Sequence, residues 1–529
     1  MKKFLLSLFT ILAPVFLFAQ EAAQKGVDEV INEKFGNATG WFVELIFAQI
    51  PVTDEVGIPW VVIMLLGFAT FFTIYFKFIN ISGFSTALNV VRGKYDDLDH
   101  PEAGVLKGDL TPGADIPETI RVEGEEGEVS HFQALTAALS ATVGLGNIAG
   151  VAIAVSIGGA GATFWMIMAG LLAMSTKFVE CTLGTLYRRE NPDGSVSGGP
   201  MYYIEQGFVA RGWSKVGKAI GSFYALGIVI GCFGIGNMFQ SNQAYQQFVN
   251  VTGGTESFFA DKGWLFGLLL GAVVGLVIIG GIKSIARVTS KVVPFMALLY
   301  GVGALIMIGM NYQAIPYAFG AIWAGAFSPE GMSGGVIGVM IIGFQRAVFS
   351  NEAGIGSASI AHSAVQTREP ITEGYVSLLE PFIDTVVICT LTALVIITTF
   401  YYDPNFHDGL DGVGMTSAAF ERNISWSPYL VAIAGILFAF STMVAWAYYG
   451  LKGWTYLVGE NSWAATGFKV VFCLMVAVGS SIQLGAVLDF SDAMVFLICV
   501  PNIIGLYLLS PVVRRELSLY NQKVKNGIS

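Results

Sequence analysis

Long apolar stretches alternate with short polar connections along almost the whole chain. A segment of about 20 apolar residues is long enough to cross about 30 Å of hydrocarbon as a helix. Eleven such windows follow the first 55 residues, so the pattern predicts an all-α polytopic membrane protein. The predicted spans are residues 56–81, 132–156, 161–187, 216–247, 263–282, 288–310, 334–362, 375–401, 427–450, 465–483 and 491–511.

The N-terminus has a different pattern. Two lysines precede an apolar run from Phe4 to Phe18, and a polar segment follows. This run is shorter than a span and has the layout of a secretory signal, so we predict a signal peptide over 1–19; a retained first helix is the alternative. Residues 20–55 then form an extracytoplasmic segment, and 56–81 form the first span.

The positive charges orient these spans. With the mature N-terminus outside and eleven crossings, twenty of the 28 Lys and Arg residues lie on the inner side. Only Lys25, Lys34, Lys262 and Arg422 lie outside, as expected when positive loops stay in the cytoplasm. We therefore predict a multi-pass protein of the bacterial inner (plasma) membrane with a cytoplasmic tail over 512–529.

Composition narrows the function. Hydrophobic residues make up 54% of the chain and charged residues 12%, about half the share in soluble proteins. The net charge of −10 offers no basic surface for nucleic acid. The sequence contains no His or Cys cluster with metal-site spacing and no nucleophile–base pair. The chain is accordingly predicted to be neither an enzyme nor dependent on a cofactor.

One polar segment stands apart from the spans. Residues 82–131 form a predicted cytoplasmic loop whose end is rich in glutamate. A solvated surface insertion is one interpretation, and a regulatory contact is the other.

The last ten spans divide into two groups of five, over 132–311 and 334–511. Because five is odd, the second group enters the membrane from the opposite side. This arrangement predicts an inverted repeat, as in many secondary transporters, with 56–81 as an extra N-terminal helix.

Glycines interrupt the leading helix of each group. The first has Gly144, Gly146 and Gly150 within seven residues. The second has Gly343-Phe344-Gln345-Arg346 followed by the glycine-containing stretch 349–357. Paired helix breaks in corresponding positions indicate a midplane binding site, whereas close helix packing is the alternative reading of the glycines.

Such a break suits two ligands. Its unpaired N–H groups suit a carboxylate, here at Gly144, Leu145, Gly146 and Asn147, and its free carbonyls suit a hard cation. Ser441 and Thr442 add adjacent hydroxyls in another apolar span, unless they only bond the preceding helical turn. Gln240 is the first candidate for a substrate contact, since its amide binds either an amino or a carboxylate group.

Ionisable residues inside the spans need partners. Lys177 and Glu180 lie three residues apart and are interpreted as a structural pair. Arg346 and Glu352 flank the second predicted break and are either gate charges or a static ion pair.

Several stretches together resemble the alanine-or-glycine:cation symporter family, also called the sodium:alanine symporters. They occur in order over most of the chain, and each alone would be weak. The stretches are His131-Phe132-Gln133-Ala134-Leu135, Gly146-Asn147-Ile148-Ala149-Gly150-Val151-Ala152, Gly158-Gly159 with Phe164-Trp165-Met166, Gly198-Gly199-Pro200-Met201-Tyr202-Tyr203, Gly236-Asn237-Met238 with Gln240 and Asn242, and Arg346 to His362.

The resemblance implies the leucine-transporter-type fold of the amino acid–polyamine–cation superfamily. It implies that Gly144 to Asn147 bind the substrate carboxylate, and that the second break, near Ile342, Gly343 and Phe344, walls the side-chain pocket. It also implies a Na⁺ site formed by Ser140, Val143, Phe438, Ser441 and Thr442. This chain has Leu145 where many members have threonine, and Ala347 where glycine is common.

The predicted function is a sodium-coupled symporter that imports a small neutral amino acid, chiefly alanine or glycine. The alternatives are proton coupling, a glutamine or serine preference, a transport-dead amino acid receptor, and a channel. Na⁺, the amino acid and the lipid bilayer are the expected partners; the oligomeric state is left open.

Overall fold

The computed structural model describes residues 27–51, 57–95, 128–191, 195–327, 335–405 and 409–527. The predicted signal peptide and most of the predicted acidic loop lie outside these residues. Two short antiparallel pairs accompany the helices: β1 (Gln49–Pro51) with β2 (Gly57–Pro59), and β3 (Arg189–Glu190) with β4 (Val196–Ser197). Helices make up nearly all of the remaining regular structure.

The helices before residue 330 include the first half of the predicted repeat. They are α1 (Val27–Ile46), α2 (Trp60–Tyr75), α3 (Ile79–Ser82), α4 (Phe84–Val91), α5 (His131–Thr142), α6 (Ala149–Gly158), α7 (Gly161–Leu186), α8 (Pro200–Val209), α9 (Ser214–Phe233), α10 (Phe239–Val251), α11 (Gly263–Ile278), α12 (Gly281–Met310) and α13 (Ile315–Phe327). A π-helical turn, Gly234–Met238, joins α9 to α10. Single 3₁₀ turns lie at Leu145–Asn147, Gly254–Glu256 and Tyr312–Ala314.

The second half follows. Its helices are α14 (Gly335–Asn351), α15 (Ala358–His362), α16 (Pro370–Ser377), α17 (Leu379–Pro381), α18 (Thr390–Tyr402), α19 (Gly412–Glu421), α20 (Ser427–Val458), α21 (Ser462–Ser481) and α22 (Leu484–Gly527). A π-helical segment, Phe382–Cys389, connects α17 to α18.

Seven described helical segments are long and apolar enough to cross a membrane. One bent pair, α5 with the helix that follows it, passes the same test as a single broken span, and α2, α11 and α14 are shorter apolar helices. The all-α membrane architecture predicted from the hydrophobic pattern is therefore confirmed. The count of eleven crossings, the inverted repeat and the domain limits stay predictions.

The first helix break lies where the glycines predict it. The helix axis bends by 56° between His131–Thr142 and Leu145–Gly158. Val143 leaves the helical conformation with φ −75° and ψ 83°, and Gly144 is extended. The backbone is thereby freed from the helical hydrogen-bond pattern in the middle of a buried segment.

The second break lies after residues 342–344, within the glycine-containing stretch 349–357 that its prediction also included. Ile342, Gly343 and Phe344 belong to the uninterrupted helix α14, and the chain leaves the helix only after Asn351. Glu352, Gly354 and Gly356 then adopt positive φ angles of 58°, 92° and 84°. The expectation that residues 342–344 form the break is wrong.

Gly343 has a packing role instead. A Cβ atom there would lie 2.6 Å from Cβ of Trp165 and 2.7 Å from the carbonyl oxygen of Ala162, both on α7. Only a residue without a side chain lets α14 approach α7 so closely, as in other tightly packed membrane helices. Packing was the alternative reading of this glycine.

Two segments predicted to be external connections contain ordered helices. α1 packs through Phe35 against Phe490 of α22, with ring centroids 5.3 Å apart. α19 lies within the connection between α18 and α20, and Thr416 of α19 is fully buried. Its hydroxyl donates to the carbonyl oxygen of Ile148 at 3.1 Å, which ties α19 to the first break.

Replacing Gly343 with alanine is expected to destabilise the folded protein by about 1–3 kcal/mol, because the added methyl group must displace α7. The measurement is thermal unfolding of the purified protein in detergent. Gly467→Ala is the matched control: this glycine is also helical, with nothing within 4 Å of the added Cβ. A Gly343→Ala protein as stable as the control would contradict the close approach.

Candidate amino acid and cation site

The first break is held together by side chains from distant parts of the chain. The Gly144 N–H donates to Oδ1 of Asn147 at 2.8 Å, and the Leu145 N–H donates to Oε1 of Gln240 at 2.9 Å. All four residues are buried. Side-chain amide oxygens thus accept from the freed N–H groups. The carboxylate oxygens of a ligand could accept from the same N–H groups in their place.

Gln240 is placed at the break by the π-helical turn before α10. Its Nε2 atom donates to the carbonyl oxygen of Ile235 at 3.2 Å, inside that turn. π-helical turns of this kind redirect side chains and occur often at functional sites. The candidate substrate residues Gly144, Leu145, Gly146, Asn147 and Gln240 therefore come together.

Two of the candidate cation ligands, Ser140 and Thr442, come together across helices. The Thr442 hydroxyl donates to the Ser140 carbonyl oxygen at 2.9 Å, joining α20 to the last turn of α5. The Ser441 hydroxyl donates to the Phe438 carbonyl oxygen at 3.0 Å, which is the back-bonding considered from sequence. All four residues are buried, and Val143 beside them leaves the helix. The donor atoms are all oxygens, the type that hard cations prefer.

Sequence reasoning did not assign Asp384 to this site. Nδ2 of Asn147 donates to the Asp384 carboxylate at 2.6 Å, and the Ser350 hydroxyl donates to the other carboxylate oxygen at 2.8 Å. Asp384 lies in the π-helical segment before α18 and is fully buried. It links the first break to the end of α14; its signal in the sequence was a carboxylate in an apolar span, four residues after Glu380.

The second break has its own set of partners. Oε1 of Glu180 accepts from the Gly354 N–H at 2.8 Å and from Nδ2 of Asn502 at 2.9 Å. Glu352 accepts from Nε1 of Trp446 at 2.8 Å and from the Ser357 hydroxyl at 2.5 Å. Buried carboxylates thus accept from the Gly354 N–H, which lies in the break, and from side-chain donors around it.

The ion pairs differ from those expected. Lys177 pairs with Glu380 at 3.1 Å, and Glu180 bonds the second break. Arg346 pairs with Asp492 of α22, not with Glu352. Proximity along one helix pointed to the wrong partners because both cations reach across to neighbouring helices. Among the described residues, neither Lys177–Glu180 nor Arg346–Glu352 forms a direct ion pair, although Lys177 interacts electrostatically with Glu180.

Replacing Asn147 with aspartate is expected to lower stability by about 1–3 kcal/mol, because two carboxylates would then face each other without the amide donor. Thermal unfolding in detergent measures the effect. The double variant Asn147→Asp with Asp384→Asn exchanges carboxylate and amide and should regain most of the loss. Equal destabilisation of the single and double variants would show that this contact is not what holds the break.

The chain is similar to known membrane transporters over nearly its whole length. A model of the Sodium:alanine symporter family matches residues 43–529. The sodium/alanine symporter AgcS of Methanococcus maripaludis is 37% identical over 470 residues, which are 88% of this chain and 95% of that protein. The probable sodium/glutamine symporter GlnT of Bacillus subtilis is 30% identical over 88% of each chain.

A solved structure shares the fold. The crystal structure of MhsT in complex with L-phenylalanine aligns with a TM-score of 0.53 at 18% identity, covering 73% of this chain and 90% of that chain. At this identity the likeness concerns the fold alone, and it agrees with the leucine-transporter-type architecture expected from sequence. Together with the family match over residues 43–529, it identifies a multi-pass membrane transporter for amino acids and cations that belongs to the sodium:alanine symporter family.

Proposed function

We propose that this protein is a Na⁺-coupled symporter that imports a small neutral amino acid, alanine or glycine, across the bacterial inner membrane. The observation that carries the proposal is the first break, where freed N–H groups at Gly144 and Leu145 adjoin the oxygen cluster of Ser140 and Thr442. An amino acid carboxylate and a cation bound there would lie next to each other, so binding of one favours binding of the other.

Gln240 acts as a stand-in for the substrate in this proposal. Its side-chain oxygen occupies the Leu145 N–H, and an arriving carboxylate takes its place. The released amide then bonds the ligand. Apart from Asp384, the side chains described at this break are buried and uncharged, which favours a small zwitterion over a charged amino acid.

The thermodynamics allow concentrative uptake. One positive charge entering across 100 mV contributes about 2.3 kcal/mol. At about 1.4 kcal/mol per decade, this supports roughly fifty-fold accumulation before any Na⁺ concentration gradient is added. Alternating access would follow from movement of the helix bundle around the two breaks.

The direct test is uptake of radiolabelled alanine and glycine by proteoliposomes under inward Na⁺, K⁺ or proton gradients, with glutamine and serine as competitors. Concentrative uptake with Na⁺ alone is expected. Ligand binding without flux under any gradient would replace the symporter with a receptor, and single-channel currents would indicate a channel.

Thr442→Val tests the cation ligands. Loss of the hydroxyl is expected to raise the Na⁺ concentration for half-maximal uptake about tenfold, the effect of losing about 1.4 kcal/mol from a bond to a charged group. Thr455→Val is the matched control on the same helix, because among the described residues that hydroxyl donates only to the Lys452 carbonyl, at 3.3 Å. Identical Na⁺ dependence in the two variants would remove Thr442 from the site.

A further inference from the structure

Five ionisable side chains form an unbroken row through the protein. His131 contacts one oxygen of Glu373, and His362 contacts the other. The second ring nitrogen of His362 lies 2.6 Å from Glu380, whose other oxygen lies 3.1 Å from Nζ of Lys177. The His131 side chain is 12% exposed, whereas the other four are fully buried. The row therefore leads from a side chain that is partly exposed to the interior of the protein.

The row ends beside the second break. Lys177 lies one helical turn before Glu180 on α7, and it interacts electrostatically with both Glu180 and Glu352. Each of these two carboxylates is bonded by neutral donors: an N–H and an amide for Glu180, and an indole and a hydroxyl for Glu352. The row thus connects the partly exposed His131 to two buried carboxylates that no cation among the described residues contacts directly.

The charges of this cluster do not balance. It holds four carboxylates, on Glu180, Glu352, Glu373 and Glu380, against Lys177 and two histidines. Even with both imidazoles protonated, one carboxylate has no compensating positive charge. An uncompensated buried charge is strongly unfavourable. The cluster must therefore carry an extra proton or cation.

Glu180 is the carboxylate with room for that proton. Its Oε1 accepts two hydrogen bonds, but its Oε2 is buried without a hydrogen-bond partner among the described residues. Both oxygens of Glu352, in contrast, accept bonds. A proton on Oε2 of Glu180 removes the excess charge without breaking any contact.

We propose that this row is a proton-transfer path from His131 to Glu180, and that proton binding at Glu180 is coupled to the second helix break. The inference rests on the proposed transport function and extends it to a second coupling ion. It uses residues apart from the candidate amino acid and Na⁺ ligands.

The transfers conserve protons at every step. Each imidazole takes a proton at one ring nitrogen and releases the proton held at the other. Each carboxylate in the row takes a proton on one oxygen, and rotation of the carboxyl group carries that oxygen to the other side, where it gives the proton. Lys177 rotates towards Glu180 and gives it one ammonium proton, and the neutral amine left behind then takes the proton held by Glu380, so Lys177 ends charged again.

Protonation of Glu180 changes the second break directly. The Gly354 N–H bonds a carboxylate at 2.8 Å, and bonds to a charged acceptor are about twice as strong as bonds to a neutral one. A neutral carboxyl at Glu180 therefore weakens the anchor of the segment between α14 and α15. Proton arrival loosens this segment, and proton departure fixes it.

Other titratable groups surround the path. Glu180 interacts electrostatically with Glu380 and with titratable groups on four helices. These groups are Lys177 and Cys181 on α7, Tyr203 on α8, Tyr224 on α9 and Cys499 on α22. His362 faces Glu373 and Glu380. Tyr449 of α20 faces Glu352 and Glu380.

The test uses the full chain in proteoliposomes that contain the pH-sensitive dye pyranine. Alanine added to the wild-type protein is expected to produce proton movement that empty vesicles lack. Glu180→Gln should abolish that movement while alanine counterflow, which needs binding and alternating access but no net ion movement, persists. Glu205→Gln is the control, a half-buried glutamate off the path that accepts from Tyr456, and should retain both activities.

Three results would overturn the proposal. These are wild-type counterflow without alanine-dependent proton movement, undiminished proton movement in Glu180→Gln, and undiminished proton movement in His362→Gln, which interrupts the middle of the row. If Glu180→Gln lacks counterflow, His362→Gln decides instead. Lost proton movement with retained counterflow in His362→Gln supports the proposal, and undiminished proton movement overturns it. Absence of wild-type counterflow would instead remove the proposed transport function, and this proposal with it.

Discussion

The structure depends on satisfying backbone hydrogen bonds where a helix is broken inside the membrane. In hydrocarbon there is no water to replace a lost helical partner, so an unpaired N–H or C=O group is strongly unfavourable. Amide and hydroxyl groups meet this need at the first break, and two carboxylates meet it at the second. The same groups that stabilise the breaks are therefore those positioned to exchange partners with a ligand or a proton.

The first break could be predicted because its glycines are combined with Ser140 and Asn147 in one segment, a mixture that packing alone explains poorly. The second break could be located only approximately. Gly343 has no side chain because α7 lies against it, whereas Gly354 and Gly356 need positive φ angles. The sequence does not distinguish a glycine required for close helix packing from one required for a positive φ angle. The difference is visible only once the neighbouring helix and the backbone are in place.

The buried charges show a different limit of sequence reasoning. Helical spacing identified Lys177 and Glu180 as neighbours on α7, but their partners lie on α17, on α22 and in the second break. His131 and His362 are separated by more than two hundred residues, yet both contact Glu373. Which partners a long side chain meets inside a bundle depends on how the helices pack. Hydrophobic periodicity does not show how neighbouring helices are aligned with each other. The positions of the charges were predictable, and their pairing was not.

The bonds at the first break also constrain how the protein is made. Asn147, Ser140 and Ile148 find partners in Asp384, Thr442 and Thr416, which are 237, 302 and 268 residues further along the chain. During synthesis the broken segment is therefore inserted long before these partners exist. Until the second half arrives, its polar groups lack the partners that the folded protein provides. Truncated chains that end before α16 should accordingly be recognised as immature by cellular quality control, even though they contain every span of the first half.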